Sequence, residues 1–331
     1  MRDLTRVVSG GALVIAAYCP GQAATLENPS AWGASFESTF EDDHGGHKSN
    51  SLLFVAEQAR HEITVFDSLG RRIHIIHGPI GNLAMDKFGD LFVADFLGLS
   101  FVNEYKPPYS GPPIRLNLPS DQIAWGVSTD EKTGVLAILS ITREVGNDAI
   151  SFFKHGATKP CKVVTTQSGS LGLGTQAAFD AEGTLFFGAS TGNGGGVIVA
   201  SLAGECDAKS IRELSFDQPI YPYGNIAFDK DDNFVIQSYV NDQPGPIYTY
   251  RHPKNDAFGP PIAASQLGIY DSRPLTFLTL SCDGEHLWAG DFYGSDVFLY
   301  RYPSEPILPP LLAISNVREN VSAAVFPMLV P

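Results

Sequence analysis

The stretch GNLAMDKFGDLFVAD, residues 81 to 95, decides the fold. It consists of an apolar run, an acidic turn that contains Gly89, and a second apolar run that ends in Asp95. A related stretch, GNIAFDKDDNFVIQS, begins at Gly224. Short apolar runs separated by turn residues indicate paired β-strands, so these stretches read as two copies of one hairpin.

The same unit recurs six times along the 331-residue chain, and each copy contains four apolar runs. The 33 glycines and 23 prolines also favour many turns and short strands. The copies repeat every 38 to 53 residues, close to the length of one propeller blade. The sequence therefore predicts an all-β, six-bladed β-propeller with four-stranded antiparallel blades. Aligned on the second apolar run, the anchor residues of the six copies are Leu53, Leu91, Leu136, Leu185, Phe234 and Leu287.

The first copy lacks its opening strand, because loop sequence leads directly into LLFVAE at Leu52. The stretch NVSAAVFP, residues 320 to 327, has the missing pattern. We expect this C-terminal strand to pair into the first blade, which closes the ring and seals an edge that would otherwise stay open.

The first 23 residues have the pattern of a secretory signal peptide. Arg2 and Arg6 precede an apolar run from Val7 to Cys19, and small residues up to Ala23 form a cleavage site. The run is shorter than the roughly 20 residues that a membrane span needs, so we expect no stable span. The predicted division is a signal peptide at 1–23, an N-terminal extension at 24–50 and one propeller domain at 51–331, secreted or periplasmic.

The net charge of the chain restricts its binding partners, and its cysteine content predicts a disulfide. The net charge of −14 opposes binding to nucleic acid and is compatible with bound cations. In an oxidising compartment, Cys161, Cys206 and Cys282 are expected to give one disulfide and one spare cysteine. Cys161 and Cys206 lie in loop-like stretches at similar depth in consecutive copies, so we predict the pair Cys161–Cys206.

The run LFVAD at Leu91, the acidic turn before it and the run ITVFD at Ile63 resemble NHL repeats. They also resemble the related six-bladed propellers of the SMP-30/gluconolactonase group, and the resemblance covers roughly residues 50 to 327. For lactonase-like members it implies a divalent metal held by Glu, Asn and Asp, with one acid in a Pro-Asp-Gly-like segment. The corresponding segment here is Pro222-Tyr223-Gly224-Asn225, with Tyr223 in the place of that acid.

Three carboxylates stand four residues past their anchors, where the second strand of a blade ends. Glu57, Asp95 and Asp291 belong to copies one, two and six, which ring closure makes neighbours. They would form an acidic arc at the channel mouth suited to Ca²⁺ or another divalent cation. The alternative is that each carboxylate accepts hydrogen bonds from its own loop backbone.

A second set of polar and aromatic residues lies along the innermost strands. Facing the channel, they would orient a small neutral ligand, since pockets combine apolar walls with a few polar groups. The alternative is that they satisfy strand-end backbone groups and bound water. The residues of this set are Asn82, Trp125, Gln176, Tyr223 and Asn225.

Two further patterns carry less weight. GASTG, residues 188 to 192, matches a nucleophile elbow in letters, but the glycines and strand that follow predict a hairpin. Potential metal ligands are also concentrated in a glycine-rich stretch that reads as a solvated loop: Glu41, Asp42, Asp43, His44 and His47.

The sequence favours a binding or interaction module, whose partner is a protein or a small molecule, over an enzyme. We predict no catalytic residues. The alternative is a metal-dependent lactonase or related hydrolase, which the missing acid at Tyr223 disfavours because a metal without its ligands activates no water.

Overall fold

The four apolar runs of each blade pair as antiparallel strands, as the sequence predicts. The computed structural model describes residues 14–18, 52–57, 60–67, 70–78, 81–95, 99–142, 148–166, 171–191, 195–217, 220, 222–240, 243–265, 275–280, 285–291, 296–303, 310–315 and 321–327. Within these residues lie 25 strands, which we number β1 to β25 along the chain and which form six sheets, the blades of the propeller.

The first three blades contain the following strands, written from the innermost outward. Blade 1 has β25 (Val321–Pro327), β2 (Leu52–Glu57), β3 (Glu62–Asp67) and β4 (Arg72–His77), with β1 (Val14–Tyr18) added beside β25. Blade 2 has β5 (Gly81–Met85), β6 (Leu91–Asp95), β7 (Phe101–Tyr105) and β8 (Ile114–Asn117). Blade 3 has β9 (Gln122–Thr129), β10 (Leu136–Thr142), β11 (Ala149–Phe153) and β12 (Lys162–Thr165).

The other three blades repeat this order. Blade 4 has β13 (Leu171–Phe179), β14 (Leu185–Thr191), β15 (Gly195–Leu202) and β16 (Ile211–Leu214). Blade 5 has β17 (Pro222–Phe228), β18 (Phe234–Val240), β19 (Gln243–Tyr250) and β20 (Ala263–Ser265). Blade 6 has β21 (Leu275–Leu280), β22 (His286–Asp291), β23 (Asp296–Arg301) and β24 (Leu312–Ser315). The antiparallel return from β14 to β15 confirms that GASTG lies in a hairpin.

The hydrophobic core lies between the blades. Every residue of β5 and β6 is buried, whereas the outer strand β8 has a single buried residue. Phe54 of blade 1 and Leu83 of blade 2 belong to one apolar cluster, and further clusters join the next pairs of blades. Inner strands are thus buried on both faces, which explains why they read as continuous apolar runs and why the fourth run is weak in sequence.

The acidic turn between the first and second strands holds itself together. Asp86 Oδ1 accepts hydrogen bonds from the backbone N–H groups of Phe88 and Asp90, both at 2.9 Å. Gly89 has a φ of 84°, a left-handed conformation in which glycine is favoured. Such self-bonding is a common reason for Asp at turns. The same turn aspartate recurs in the following blades as Asp130, Asp180 and Asp229.

The C-terminal strand closes the ring, which confirms the predicted closure. β25 pairs antiparallel with β2, with Phe54 opposite Val325 and Ala56 opposite Ala323. β25 also contacts the innermost strands of both neighbouring blades, β5 and β21. Blade 1 is therefore built from both ends of the propeller domain.

β1 lies within the predicted signal peptide and runs parallel to β25, with Val14 opposite Ala323. It also contacts β5, β17 and β21, the innermost strands of three other blades. Without β1, blade 1 still has the four strands that every other blade has. The signal peptide stays a prediction. In the part of the chain that the structure describes, no helix is long and apolar enough to cross a membrane.

A disulfide joins Cys161 of blade 3 to Cys206 of blade 4, with the two Cα atoms 5.3 Å apart. This confirms the predicted pair. Cys282, the predicted spare cysteine, lies outside the described residues.

The two chain ends should differ in their effect on folding. Deleting residues 318–331 removes β25 and leaves β2 with an open edge, so we expect loss of the cooperative thermal unfolding transition. Deleting residues 1–23 removes only β1 and should leave the transition cooperative. Circular dichroism melts of both truncations test this, and an unchanged melt after the C-terminal deletion would contradict the closure.

Candidate functional site

The predicted metal ligands lie on one edge of the disc, which we call the mouth edge. There the first strand of each blade begins and the second strand ends; Glu57 ends β2, Asp95 ends β6 and Asp291 ends β22. Glu57 and Asp95 are each only 1% exposed. The side chain of Asp291 lies outside the described residues. The acidic arc and its cation therefore stay predictions.

Glu57 is held by its own hairpin. Thr64 Oγ1 donates a hydrogen bond of 2.5 Å to Glu57 Oε1, and an Arg60 guanidinium nitrogen lies 3.3 Å from Glu57 Oε2. Burial raises the pKa of the Glu57 carboxyl, while the hydrogen bond from Thr64 and the charge of Arg60 lower it. An arginine and a hydroxyl thus already contact the two oxygens that a cation would use.

Asp95 occupies the equivalent position in blade 2, opposite Gly81. Burial raises the pKa of the Tyr105 phenol in β7, and the negative charge of Asp95 raises it further. A buried carboxylate near a phenol provides polar groups at this edge but does not by itself identify a metal site.

The predicted ligand-binding residues start from Asn82 of β5. Asn82 is fully buried, and its Nδ2 donates a hydrogen bond of 2.7 Å to the backbone oxygen of Trp125 in blade 3. Its Oδ1 is buried and has no hydrogen-bond partner among the described residues. Trp125 is half-buried on β9. Gln176 lies in β13, and Tyr223 and Asn225 lie in β17. The structure describes the backbone of these three residues but not their side chains.

The opposite edge, which we call the turn edge, carries contacts that the sequence did not predict. A residue that follows the third strand of one blade reaches the turn aspartate of the preceding blade. His155 Nδ1 lies 3.0 Å from Asp86 Oδ2, joining blades 3 and 2. His252 Nε2 lies 2.8 Å from Asp180 Oδ2, joining blades 5 and 4. Each histidine therefore links two blades.

The contact between blades 2 and 3 contains additional charged groups. His155 Nδ1 is also 3.7 Å from Asp90 Oδ2. Lys106 Nζ lies 2.5 Å from Asp90 Oδ2 and 2.7 Å from Glu104 Oε1. Asp86, Asp90 and His155 each offer one ligand atom, and these atoms lie within 4.8 Å of one another. Among the described residues, this is the group of acidic, cysteine and histidine side chains that could hold a metal ion.

The contact between blades 3 and 4 joins two carboxyl groups. Thr133 Oγ1 lies 2.6 Å from Asp130 Oδ2 and 2.7 Å from Glu205 Oε1. It also accepts a hydrogen bond of 3.2 Å from the backbone N–H of Val135. A hydroxyl has one proton to donate, so a proton on one of the two carboxyl groups would make the second short contact a hydrogen bond as well.

The two carboxyl groups differ in proton affinity. Burial raises the pKa of Glu205 to about 7, and its hydrogen bond to Asp130 acts in the same direction. Burial also favours the neutral form of Asp130, but hydrogen bonds from Glu205, Thr133 and the backbone outweigh it and lower the pKa of Asp130. Of the two carboxyl groups, Glu205 therefore has the greater affinity for a proton. The pair lines a cleft of about 740 Å³ beside the Cys206 disulfide.

A repeated spacing could have indicated the turn-edge contacts. His155 and His252 each stand two residues after the aromatic residue that ends the third strand, in FFKHG and TYRHP. The turn aspartates were visible as well. What the sequence does not supply is the pairing, because the partners are 69 and 72 residues apart.

No family model matches the chain, and no curated protein matches its sequence. Solved structures match its fold. A chain from the crystal structure of a nidogen/laminin complex has a TM-score of 0.58 and 11% identity, covering 83% of this chain and 98% of that chain. Hydrazine synthase of Kuenenia stuttgartiensis gives 0.53 and 11%, with coverages of 74% and 72%. A luciferin-regenerating enzyme gives 0.51 and 12%, with coverages of 75% and 82%. At these identities the likeness shows the fold alone.

The raised pKa of Glu205 predicts a stability that depends on pH. The folded protein binds the proton more tightly than the unfolded chain, so this contribution is complete below about pH 4.5 and is lost as pH rises through about 7. The lowered pKa of Asp130 changes stability with pH in the opposite direction. That change occurs below the ordinary pKa of 3.8 and thus outside this window. Because Glu205 is partly exposed, we expect a screened effect of about 1 kcal/mol, or about 2 °C in Tm.

Glu205→Gln should remove that slope, because a glutamine amide can donate a hydrogen bond as the protonated carboxyl does. Thermal melts of both proteins between pH 4.5 and 7.5 measure the difference. Glu182→Gln, which alters another acidic residue of the same cleft, is the matched control and should keep the wild-type slope. Parallel curves for wild type and Glu205→Gln would contradict the shared proton.

Proposed function

We propose that this protein is a secreted or periplasmic β-propeller that binds a small neutral ligand at the mouth edge, between blades 2 and 3. Asn82 is the observation that carries the proposal. Its hydrogen bond to Trp125 fixes the amide and orients Oδ1, which is buried without a hydrogen-bond partner among the described residues. An unsatisfied buried acceptor costs about 1–3 kcal/mol, so it calls for a donor from a ligand or an ordered water.

The chemistry of the amide defines the ligand class. Oδ1 accepts a hydrogen bond, so the ligand presents a hydroxyl or an N–H group to Asn82. An anionic ligand is disfavoured because the chain is strongly acidic and would repel it. The half-buried Trp125 adds an aromatic residue of the kind that commonly lines ligand pockets.

The predicted signal peptide bears directly on access to this position. β1 contacts β5, the strand that carries Asn82. Cleavage after residue 23 would take β1 away and open the channel beside β5. The Cys161–Cys206 disulfide supports the same proposal, because structural disulfides persist in oxidising compartments.

The alternative is a metal-dependent lactonase of the kind that the NHL and SMP-30/gluconolactonase resemblance implies. Glu57, one of its expected ligands, already contacts Arg60 and Thr64. Tyr223 stands where the resemblance places an acid. The fold is compatible with both functions, since its structural neighbours include a chain from a protein complex and enzymes. The preference for binding therefore rests on the residues at the mouth edge.

A thermal-shift screen tests the binding proposal. The chain without residues 1–23 is heated with neutral polyols, sugars and amides, and at about 100 times Kd a ligand adds about 2.7 kcal/mol of stability. We expect Asn82→Leu to abolish the shift in Tm. Asn103→Leu is the matched control. Like Asn82, Asn103 is a buried asparagine of blade 2 whose Oδ1 has no hydrogen-bond partner among the described residues. Unlike Asn82, it lies on the third strand of the blade. Equal shifts in wild type and Asn82→Leu would place the ligand elsewhere.

An assay with simple lactones tests the alternative. After dialysis against a chelator, the protein is supplied with Ca²⁺, Mn²⁺ or Zn²⁺ in turn, and hydrolysis is followed. The binding proposal predicts no metal-dependent turnover. Turnover that requires the metal and disappears in Asp95→Asn would establish the lactonase instead.

A further inference from the structure

The charged cluster at the turn edge between blades 2 and 3 points to a second site, independent of the ligand proposed above. We propose that Asp86, Asp90 and His155 bind a divalent transition-metal ion such as Zn²⁺. An imidazole nitrogen combined with carboxylate oxygens is a ligand set that suits such ions.

Two of the three separations between the ligand atoms are close to those of tetrahedral coordination, and all three are within 4.8 Å. Metal–ligand distances of about 2.0–2.2 Å at tetrahedral angles put two ligand atoms about 3.4 Å apart. His155 Nδ1 lies 3.0 Å from Asp86 Oδ2 and 3.7 Å from Asp90 Oδ2, on either side of that value. An ion would therefore require shifts of only a few tenths of an ångström in these separations. Water would complete the coordination.

The two residues nearest the ion are held in place before it binds. Asp86 is fully buried, and because its Oδ1 accepts two backbone hydrogen bonds, Oδ2 is left to face His155. The Phe88 ring lies against the His155 ring with centroids 3.8 Å apart. Supported ligands of this kind favour metal binding, because outer contacts fix the orientation of the ligating atoms.

The charge of the cluster also calls for a cation. Asp86, Asp90 and Glu104 are buried, and Lys106 is the cation that contacts two of them. Three carboxylates against one ammonium leave an excess of two negative charges when His155 is neutral. A divalent ion would balance this excess.

The chain contains an internal comparison. The contact between blades 4 and 5 has the same histidine and turn aspartate, His252 and Asp180. Where blade 2 has Asp90, however, blade 4 has Thr184, whose backbone N–H bonds the turn aspartate in the same way. A histidine and one aspartate thus suffice to join two blades. A metal site needs a third ligand, and Asp90 provides it only at the contact between blades 2 and 3.

Lys106 already contacts Asp90, so its side chain has to move away when a metal ion binds there. Its side chain is 45% exposed, and it retains Glu104 as a partner when it leaves Asp90. The competing explanation of the cluster is that His155 is protonated and serves as the missing cation. A metal titration separates the two, because an imidazolium gives no metal spectrum.

The experiment uses the untagged full chain, freed of metal with a chelator and titrated with Co²⁺. We expect one equivalent to bind with the visible absorption of low-coordinate cobalt, and Zn²⁺ to displace it. Asp90→Thr, which copies the turn of blade 4, and His155→Gln should each weaken binding by more than about 100-fold, because even outer-shell partners typically contribute about 10- to 100-fold. Circular dichroism melts of both variants check that they fold.

Two controls locate the site. His252→Gln disturbs the equivalent contact without a third acid, and the double variant His44→Gln, His47→Gln removes the histidines of the N-terminal stretch; both should bind Co²⁺ like wild type. The proposal is overturned if wild type gives no cobalt spectrum, if Asp90→Thr and His155→Gln bind as wild type does, or if either control abolishes binding. Asn82→Leu should leave the titration unchanged, so the two sites are tested separately.

Discussion

The pairing of β25 with β2 is the constraint on which the rest of the structure depends. Each inner strand is buried on both faces only because a blade packs on either side of it, and the last blade finds its neighbour only if the first blade is complete. Because blade 1 takes its innermost strand from the C-terminus, the ring is closed by hydrogen bonds as well as by packing. Closure also makes blades 1, 2 and 6 neighbours, which determines the polar groups that meet at the mouth edge.

The turn aspartate performs two roles at the opposite edge. One oxygen accepts hydrogen bonds from the turn backbone, and the other faces a residue of the next blade. The first role is local and recurs in blades 2 to 5, whereas the second varies in its partner. Histidine is the partner at two junctions, and a glutamate with a raised pKa is the partner at a third. One structural position can therefore act as a simple contact, as a proton-sharing pair, or as part of a proposed metal site.

Much of the fold could be predicted from the sequence. The period of the repeats, the four runs per blade, the closing strand and the Cys161–Cys206 pair follow from apolar spacing and turn residues, which are local signals. The chemistry of the sites could be predicted only in part. Asn82 was identified as an inner-strand residue, but its unsatisfied oxygen depends on the backbone of Trp125, 43 residues away. Asp86 lies in a predicted acidic turn, but its contact with His155 crosses a blade boundary and joins residues 69 positions apart.

Similarity to solved structures shows the fold alone, because propellers support unrelated activities. The proposed function therefore depends on the residues of these sites. The central claim is that both ends of the propeller domain form one cooperative unit. Native-state hydrogen exchange measures this directly through the amides of β25 and β2. The account predicts that both strands exchange only by global unfolding and with the same protection. Fast exchange in β25 while β2 remains protected would show that the ring is not closed by this pairing.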